Sequence, residues 1–145
     1  MSFKPAETDF TEMVKEKING NHFLHYLGFT INEIKPGFIS GELDLQKHHL
    51  QQMDFVHGGV TATVADIVAG FAAFTLVKHG QGVVTVELKV SYLNPAKGDV
   101  LQAKGYVIKA GQRLYFCESE LWVGDLLVAK ASLTMAVVNP EDMRR

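Results

Sequence analysis

Between Phe55 and Val77 the one formally charged side chain is Asp66, and it follows the run His57-Gly58-Gly59-Val60-Thr61-Ala62-Thr63-Val64-Ala65. A carboxylate among apolar neighbours is costly unless it is hydrogen-bonded to a strand or subunit beside it, or used in chemistry. The glycines that open the run let a substrate oxygen approach the backbone closely. First-turn N–H groups of a helix lack intrahelical acceptors and form the positive end of its dipole. Donors fixed where negative charge develops on a carbonyl oxygen are what acyl transfer requires. Asp66, two turns further on, is expected to present its carboxylate near the same carbonyl carbon or to an attacking water. Such a pair points to hydrolysis of an ester or thioester without a serine triad, and no Gly-x-Ser-x-Gly elbow occurs in the chain. On a helix the neighbours of Asp66 three, four and seven residues away are Ala62, Ala69, Gly70 and Ala73. All are small, so another backbone or a ligand can come close to this strip.

The elements that must hold these residues follow from periodicity and turn chemistry. Thr8 and Asp9 are expected to cap a first helix through about Ile18, and HFLHYLG a second short helical turn closed by Gly28. FTINEI, KPG and FISGELDL read as a β-hairpin in which Ile39, Gly41, Leu43 and Leu45 share a face. QKHHLQQMDFV has no period and reads as a loop. The long apolar helix is expected from Gly58 to about Lys78. Four strand-like runs follow, VVTVELKVSYL, VLQAKGYVIKA, RLYFCESELWV and LLVAKASLTMAVV, and their Gly-containing links predict consecutive antiparallel hairpins. In the first of them Val84, Val86, Leu88, Val90 and Tyr92 alternate with Thr85, Glu87, Lys89 and Ser91, which predicts a core face and a polar face. The class is α+β: about six antiparallel strands curved around one central helix. A helix apolar on nearly every side must be enclosed. The sheet covers part of it, and a second copy or the N-terminal helices the rest.

The chain has 145 residues, 47% hydrophobic and 21% charged, with a formal net charge of −2. These values fit one domain over 1–145, with an N-terminal helical segment at 1–28 and a loose tail at 139–145. Lys and Arg are scattered, which argues against nucleic acid or an anionic membrane as the main partner. The lone Cys117 can form no internal disulfide and suits a reducing cytoplasm. Val60–Val77 has nearly the length of a membrane span, but Asp66 and three threonines interrupt it and no basic cluster flanks it. The N-terminus shows no apolar stretch of a secretory signal.

HGGVTATVADIVAGFAA followed by VTVELKVSYLNPAKGD resembles the phenylacetic-acid-degradation type of hotdog-fold acyl-CoA thioesterases, relatives of the 4-hydroxybenzoyl-CoA thioesterase superfamily. The resemblance covers roughly Phe23 to Val138. It implies the hotdog fold, a homodimer that pairs into a tetramer, active sites shared between subunits, and acyl-CoA substrates with no metal or redox cofactor. It also implies roles by position. Asp66 matches the helix acid acting as nucleophile or general base, and Gly58 the backbone N–H that polarises the thioester carbonyl. His57 matches the supporting neighbour, Gln51 an amide that orients water or thioester, and Thr85 a strand hydroxyl that positions the water. Two other readings share the fold: a non-catalytic acyl-thioester-binding module, and a 3-hydroxyacyl-thioester dehydratase. The four residues Asp66, Gly58, Gln51 and Thr85 together argue against the first, and the absence of a Pro-Gly-His-Pro-like stretch against the second.

Lys97, Gly98 and Arg113 stand at expected strand ends, where side-chain cations and backbone donors could meet the phosphates of coenzyme A. Phe23, Leu24, Leu27, Phe55, Phe71 and Phe74 are candidates for acyl pocket or core. His22 with His25, and His48 with His49, have metal-like spacing but no Cys or carboxylate cluster to complete a site, so no metal is expected. GQG at Gly80–Gly82 follows a helix instead of preceding one and is a loop, not a dinucleotide fingerprint.

Overall fold

A computed structural model describes residues 2–144. The chain begins with α1 (Phe10–Asn19) and α2 (His22–Leu27). Gly28 ends α2 in a left-handed conformation, φ 89°, and donates its N–H to the Leu24 carbonyl. Strands β1 (Phe29–Lys35) and β2 (Phe38–Asp44) form the expected hairpin, with Ile39, Gly41 and Leu43 buried on its inner face. Then come α3 (Gly58–Phe74), β3 (Gly82–Tyr92), β4 (Val100–Ala110), β5 (Leu114–Val123) and β6 (Leu126–Val138). The segment 45–57 carries a 3-10 turn at Lys47–His49, and the expected loose tail a second one at Pro140–Met143.

Six antiparallel strands in the order β1-β2-β4-β5-β6-β3 wrap around α3, which is the hotdog arrangement. Val64, Ala65, Val68, Ala69, Ala72 and Ala73 form the buried face of α3. A close backbone approach occurs on this face, at Val68–Ala69 against β4, and not at Gly70 in the strip beside Asp66. A Cβ added to Gly105 would lie 2.3 Å from the Val68 carbonyl carbon, so only glycine lets the helix backbone settle on the strand. Ser119 Oγ on β5 donates to the Ala65 carbonyl at 2.7 Å and fixes the helix along its axis.

The α-helix ends at Phe74 and does not reach Lys78. Thr75 Oγ1 donates to the Ala72 carbonyl at 2.7 Å while accepting the Gly37 N–H at 2.7 Å, and the next turn tightens to Leu76 N–H→Ala73 and Val77 N–H→Phe74. With 17 residues α3 is about 25 Å long. Among the described residues no helix is long and apolar enough to cross a membrane.

Two features of β3 differ from the sequence expectation. First, β3 pairs with β6 and not with β4. The link between β3 and β4 makes its own bonds across the end of the sheet: Leu93 and Asn94 N–H go to the Val128 carbonyl, the Ala96 carbonyl takes the Val56 N–H, and the Asp99 carbonyl the Leu45 N–H. Pro95 within it has no N–H to give to a hairpin ladder. Second, the register slips at Val86: Thr85 lies opposite Met135, but Glu87 lies opposite Thr134. This bulge reverses the alternation. Thr85 therefore faces α3 on the same side as Leu88, Val90 and Tyr92, in place of the polar face with Glu87.

Candidate active site

His57 starts α3. Its Nδ1 accepts the Gly59 N–H at 2.8 Å, and its carbonyl takes the N–H groups of Val60 and Thr61 at 2.9 and 3.3 Å. Among the described residues the Gly58 N–H has no acceptor, and it is the donor left at the positive end of the helix. On its other side, the Gly58 carbonyl accepts a 2.6 Å hydrogen bond from Tyr92 Oη. A Cβ at Gly58 would stand 3.3 Å from that oxygen. His57 and Gly58 thus form one capped turn held by β3.

The preceding loop is anchored by His49, which is buried. Its Nδ1 accepts the Gln46 N–H at 2.9 Å, so Nε2 carries the proton that it shares with the Leu27 carbonyl at 2.8 Å. The His49 carbonyl in turn accepts the His57 N–H at 2.9 Å. Between these fixed points Gln51 opens a tight turn, with its N–H on the Phe55 carbonyl and Asp54 at φ 64°. Gln51 Oε1 accepts the Met53 N–H, which leaves the amide NH2 as the group this side chain can offer to a ligand.

Asp66 and Thr85 meet directly. Thr85 Oγ1 donates to Asp66 Oδ1 at 2.7 Å; its 3.5 Å approach to Met135 Sδ is the weaker alternative for the same proton. Asp66 Oδ2 has no hydrogen-bond partner among the described residues, and Asp66 borders an open cleft of about 700 Å³. The cleft follows α3 from Asp66 past Gly70 and Phe71 to Phe74, between the α1–α2 junction and the start of β3. Phe23, on α2, borders it as well, whereas Leu24 and Leu27 belong to the core and Phe55 lies beneath Lys97 Nζ, 5.9 Å from its ring centre.

Within one chain these parts do not meet at a single point. Asp66 follows Gly58 by eight residues of one α-helix, about 12 Å along the axis, so both cannot touch one thioester carbonyl. The expectation that Asp66 reaches the carbonyl held by its own Gly58 is therefore corrected. The candidate phosphate ligands are also apart. Lys97 and Gly98 precede β4 while Arg113 follows it, and the eleven residues of that extended strand set its two ends about 33 Å apart.

Burial pushes the Cys117 thiol up to about 12, which keeps it protonated and removes it as a nucleophile. Of the histidines singled out by spacing, His25 Nε2 bonds the Ile18 carbonyl, and His49, whose ring centre lies 4.1 Å from that of His48, is committed as described. The cluster that the fold does assemble is Glu7, Asp9 and His79 on the surface, with Asp9 Oδ1 3.0 Å from His79 Nε2. Asp9 consequently makes no side-chain cap on α1.

Residues 53–130, more than half of the chain, match the family model described as the thioesterase superfamily. The chain belongs to the thioesterase superfamily. A Caenorhabditis elegans protein named as an esterase is 41% identical over 89 residues, 61% of this chain, and the match spans about half (52%) of that relative. Acyl-coenzyme A thioesterase 13 of Homo sapiens is 29% identical over 112 residues, 76% of this chain and 79% of that protein. A thioesterase family protein from Silicibacter pomeroyi superposes with a TM-score of 0.87 at 28% identity, covering 90% of this chain and 98% of that one. The sheet and α3 display the hotdog fold, and the family model and two of these relatives carry the thioesterase name.

Two contributors to the site escape a reading of the sequence alone. Tyr92 counts there as an apolar position at the end of an alternating strand, yet its hydroxyl holds the Gly58 peptide. His49 counts there as half of a histidine pair, yet it ties α2 to the loop that bears Gln51. An aromatic with a hydroxyl at the end of a strand is the one signal that could have drawn attention to Tyr92.

Proposed function

We propose that two copies of this chain jointly hydrolyse acyl-CoA thioesters, each site taking Gln51 and Gly58 from one copy and Asp66 and Thr85 from the other. The observation that carries the reading is the 2.7 Å bond from Thr85 to Asp66 Oδ1, which orients the carboxylate beside the cleft and leaves Oδ2 without a partner among the described residues. The 12 Å between Gly58 and Asp66 of one helix supports sharing across chains. So does the exposed apolar edge of the sheet at β3, where Val86 is 58% and Tyr92 56% exposed, since an uncovered edge of this kind accepts a second sheet.

In this reaction the thioester oxygen lies on the Gly58 N–H, where the helix dipole and that donor stabilise the developing oxyanion. His57 holds the capped turn, and the Gln51 amide NH2 orients the thioester or the water. Asp66 Oδ2 either takes a proton from a water that attacks the carbonyl carbon, or attacks that carbon itself to form an anhydride which water then opens. In both routes the C–S bond breaks, coenzyme A leaves as thiolate and collects a proton, and the acyl group leaves as the free acid. Lys97 and the backbone around Gly98 receive a phosphate of the coenzyme, and Arg113 serves a site only if it comes from another copy. Neither metal nor redox cofactor enters. A dimer of dimers in a reducing cytoplasm completes the reading.

Asp66→Asn tests it. Release of free thiol from a panel of acyl-CoAs is expected to fall about 10²–10⁴-fold or more with unchanged oligomeric state, and wild-type turnover by the variant would end the Asp66 mechanism. A single turnover in ¹⁸O-water tests the anhydride route: label in the Asp66 carboxylate marks it as nucleophile, whereas label only in the product acid fits a base or an anhydride opened at its acyl carbon.

A further inference from the structure

Gly70 occupies the middle of α3, where glycine costs about 1 kcal/mol relative to alanine. Packing within the chain gives no return for that cost. A Cβ at Gly70 would have Met135 Cε as its nearest neighbour, at 3.9 Å, which is ordinary contact. The contrast is with Gly105 and Gly41, where an added Cβ would come within 2.3 Å of backbone atoms. What Gly70 does border is the cleft, one helical turn beyond Asp66 and on the same face. A missing side chain there deepens the floor down to Met135. The flanking walls are apolar at Ile67, Phe71 and Val83, while the wall across from them at the α1–α2 junction carries Lys17 and His22.

We infer that Gly70 is a specificity-determining residue: the pocket it opens beside Asp66 receives a compact, ring-sized acyl group, one that a β-carbon at this position would crowd. This rests on the proposed reading of Asp66 as the reactive carboxylate. The span from Asp66 to Phe74 is eight residues, about 12 Å, shorter than an extended long-chain fatty acyl group. The basic α1–α2 wall is equally unsuited to a long alkyl chain, which would have to desolvate Lys17 to lie against it. A destabilising residue at a position that lines the cleft, with no neighbour among the described residues that needs it, is the trade of stability for function expected at a binding surface.

The test uses kcat/KM for acetyl-CoA, benzoyl-CoA and palmitoyl-CoA with the full chain, Gly70→Ala and Gly70→Val, together with Tm and oligomeric state. Wild type is expected to prefer benzoyl-CoA to palmitoyl-CoA. Gly70→Ala, which fits without displacing a neighbour, should have a Tm at or above wild type and a benzoyl-to-acetyl ratio several-fold lower. Gly70→Val should lower that ratio at least tenfold. Active variants with an unchanged ratio, a wild type that prefers palmitoyl-CoA, or dissociation of the oligomer by Gly70→Ala would each overturn the inference, the last by showing that the glycine admits a second copy and not an acyl group. If wild type cleaves none of the three, the hydrolase reading falls and takes this inference with it; cleavage with an unchanged ratio sinks this inference alone.

Discussion

At the scale of single residues, Thr85 and Asp66 act as a unit in which the hydroxyl supplies one proton and the carboxylate is held in one rotamer. Thr85→Ser keeps that donor, whereas Thr85→Val keeps the shape and removes it. We therefore expect Thr85→Ser to retain kcat within a few-fold and Thr85→Val to lose about tenfold to a hundredfold, the range of a charge-assisted hydrogen bond of about 1.5–3 kcal/mol. Steady-state thiol release on both variants checks this, and equal activity would show that orientation of Asp66 does not need the bond. Cys117 gives a second residue-scale prediction. Its thiol is buried on β5 and raised from its usual 9.0 to about 12. Neutral in folded and unfolded chains below pH 9, it contributes no pH dependence there. Between pH 9 and 12 the unfolded chain releases the proton first, so its contribution to stability declines as pH rises. At pH 8 a maleimide should label Cys117 only after denaturant has unfolded the protein, and rapid labelling of the native chain would contradict its burial.

At the scale of elements, two devices set the position of the site. The bulge at Val86 turns Thr85 toward α3; if Val86 were paired as a regular residue, β3 would present Thr85 and Glu87 on the same face. Deleting Val86 should close the ladder with its present partners, Thr85 opposite Met135 and Glu87 opposite Thr134, and keep Thr85 on the side of Asp66. The expected result is a folded protein, by circular dichroism and Tm, that keeps more turnover than Thr85→Val; a loss as large as in Thr85→Val would show that the local bend of the bulge also places the hydroxyl. Gly105 is the other device, because α3 rests on β4 only where no Cβ intervenes. Gly105→Ala forces the helix away from the sheet, and overpacking of that kind costs about 1–3 kcal/mol. A urea midpoint equal to wild type would show that α3 can shift at no cost.

At the scale of the whole molecule, one chain supplies both halves of a site but cannot bring them to one carbonyl, since α3 holds Gly58 and Asp66 about 12 Å apart. Two inactive chains should then complement each other. Asp66→Asn mixed with Gln51→Ala, after subunit exchange is verified, should rebuild in each heterodimer one intact site and one doubly damaged one. Recovery of activity toward a quarter of wild type is expected from equal random mixing, half of the dimers having one of two sites intact. No recovery would place all four groups of a site in one chain.

Local order was legible in the sequence because its causes are local. Gly28 stops α2, Lys35-Pro36-Gly37 turns the first hairpin, and the alternations of β4, β5 and β6 mark strands whose inner faces are buried. The same holds for the start of α3 and for Asp66, a lone charge in an apolar run. Period-two reading nevertheless put Thr85 on the outward face, while the resemblance put it in the site, and only the bulge reconciles them. A bulge depends on which strand lies opposite, as does the pairing of β3 with β6, and neither partner is specified by the residues of β3 themselves. The bond from Tyr92 to Gly58, the anchoring of the Gln51 loop by His49, and the distance between Lys97 and Arg113 are likewise products of strand order. The sequence by itself determined most of the elements and singled out the one carboxylate in the apolar run, because propensity, periodicity and charge act over a few residues; the tertiary structure decided which groups meet, because contacts between residues far apart in the chain exist only once the sheet has closed around α3.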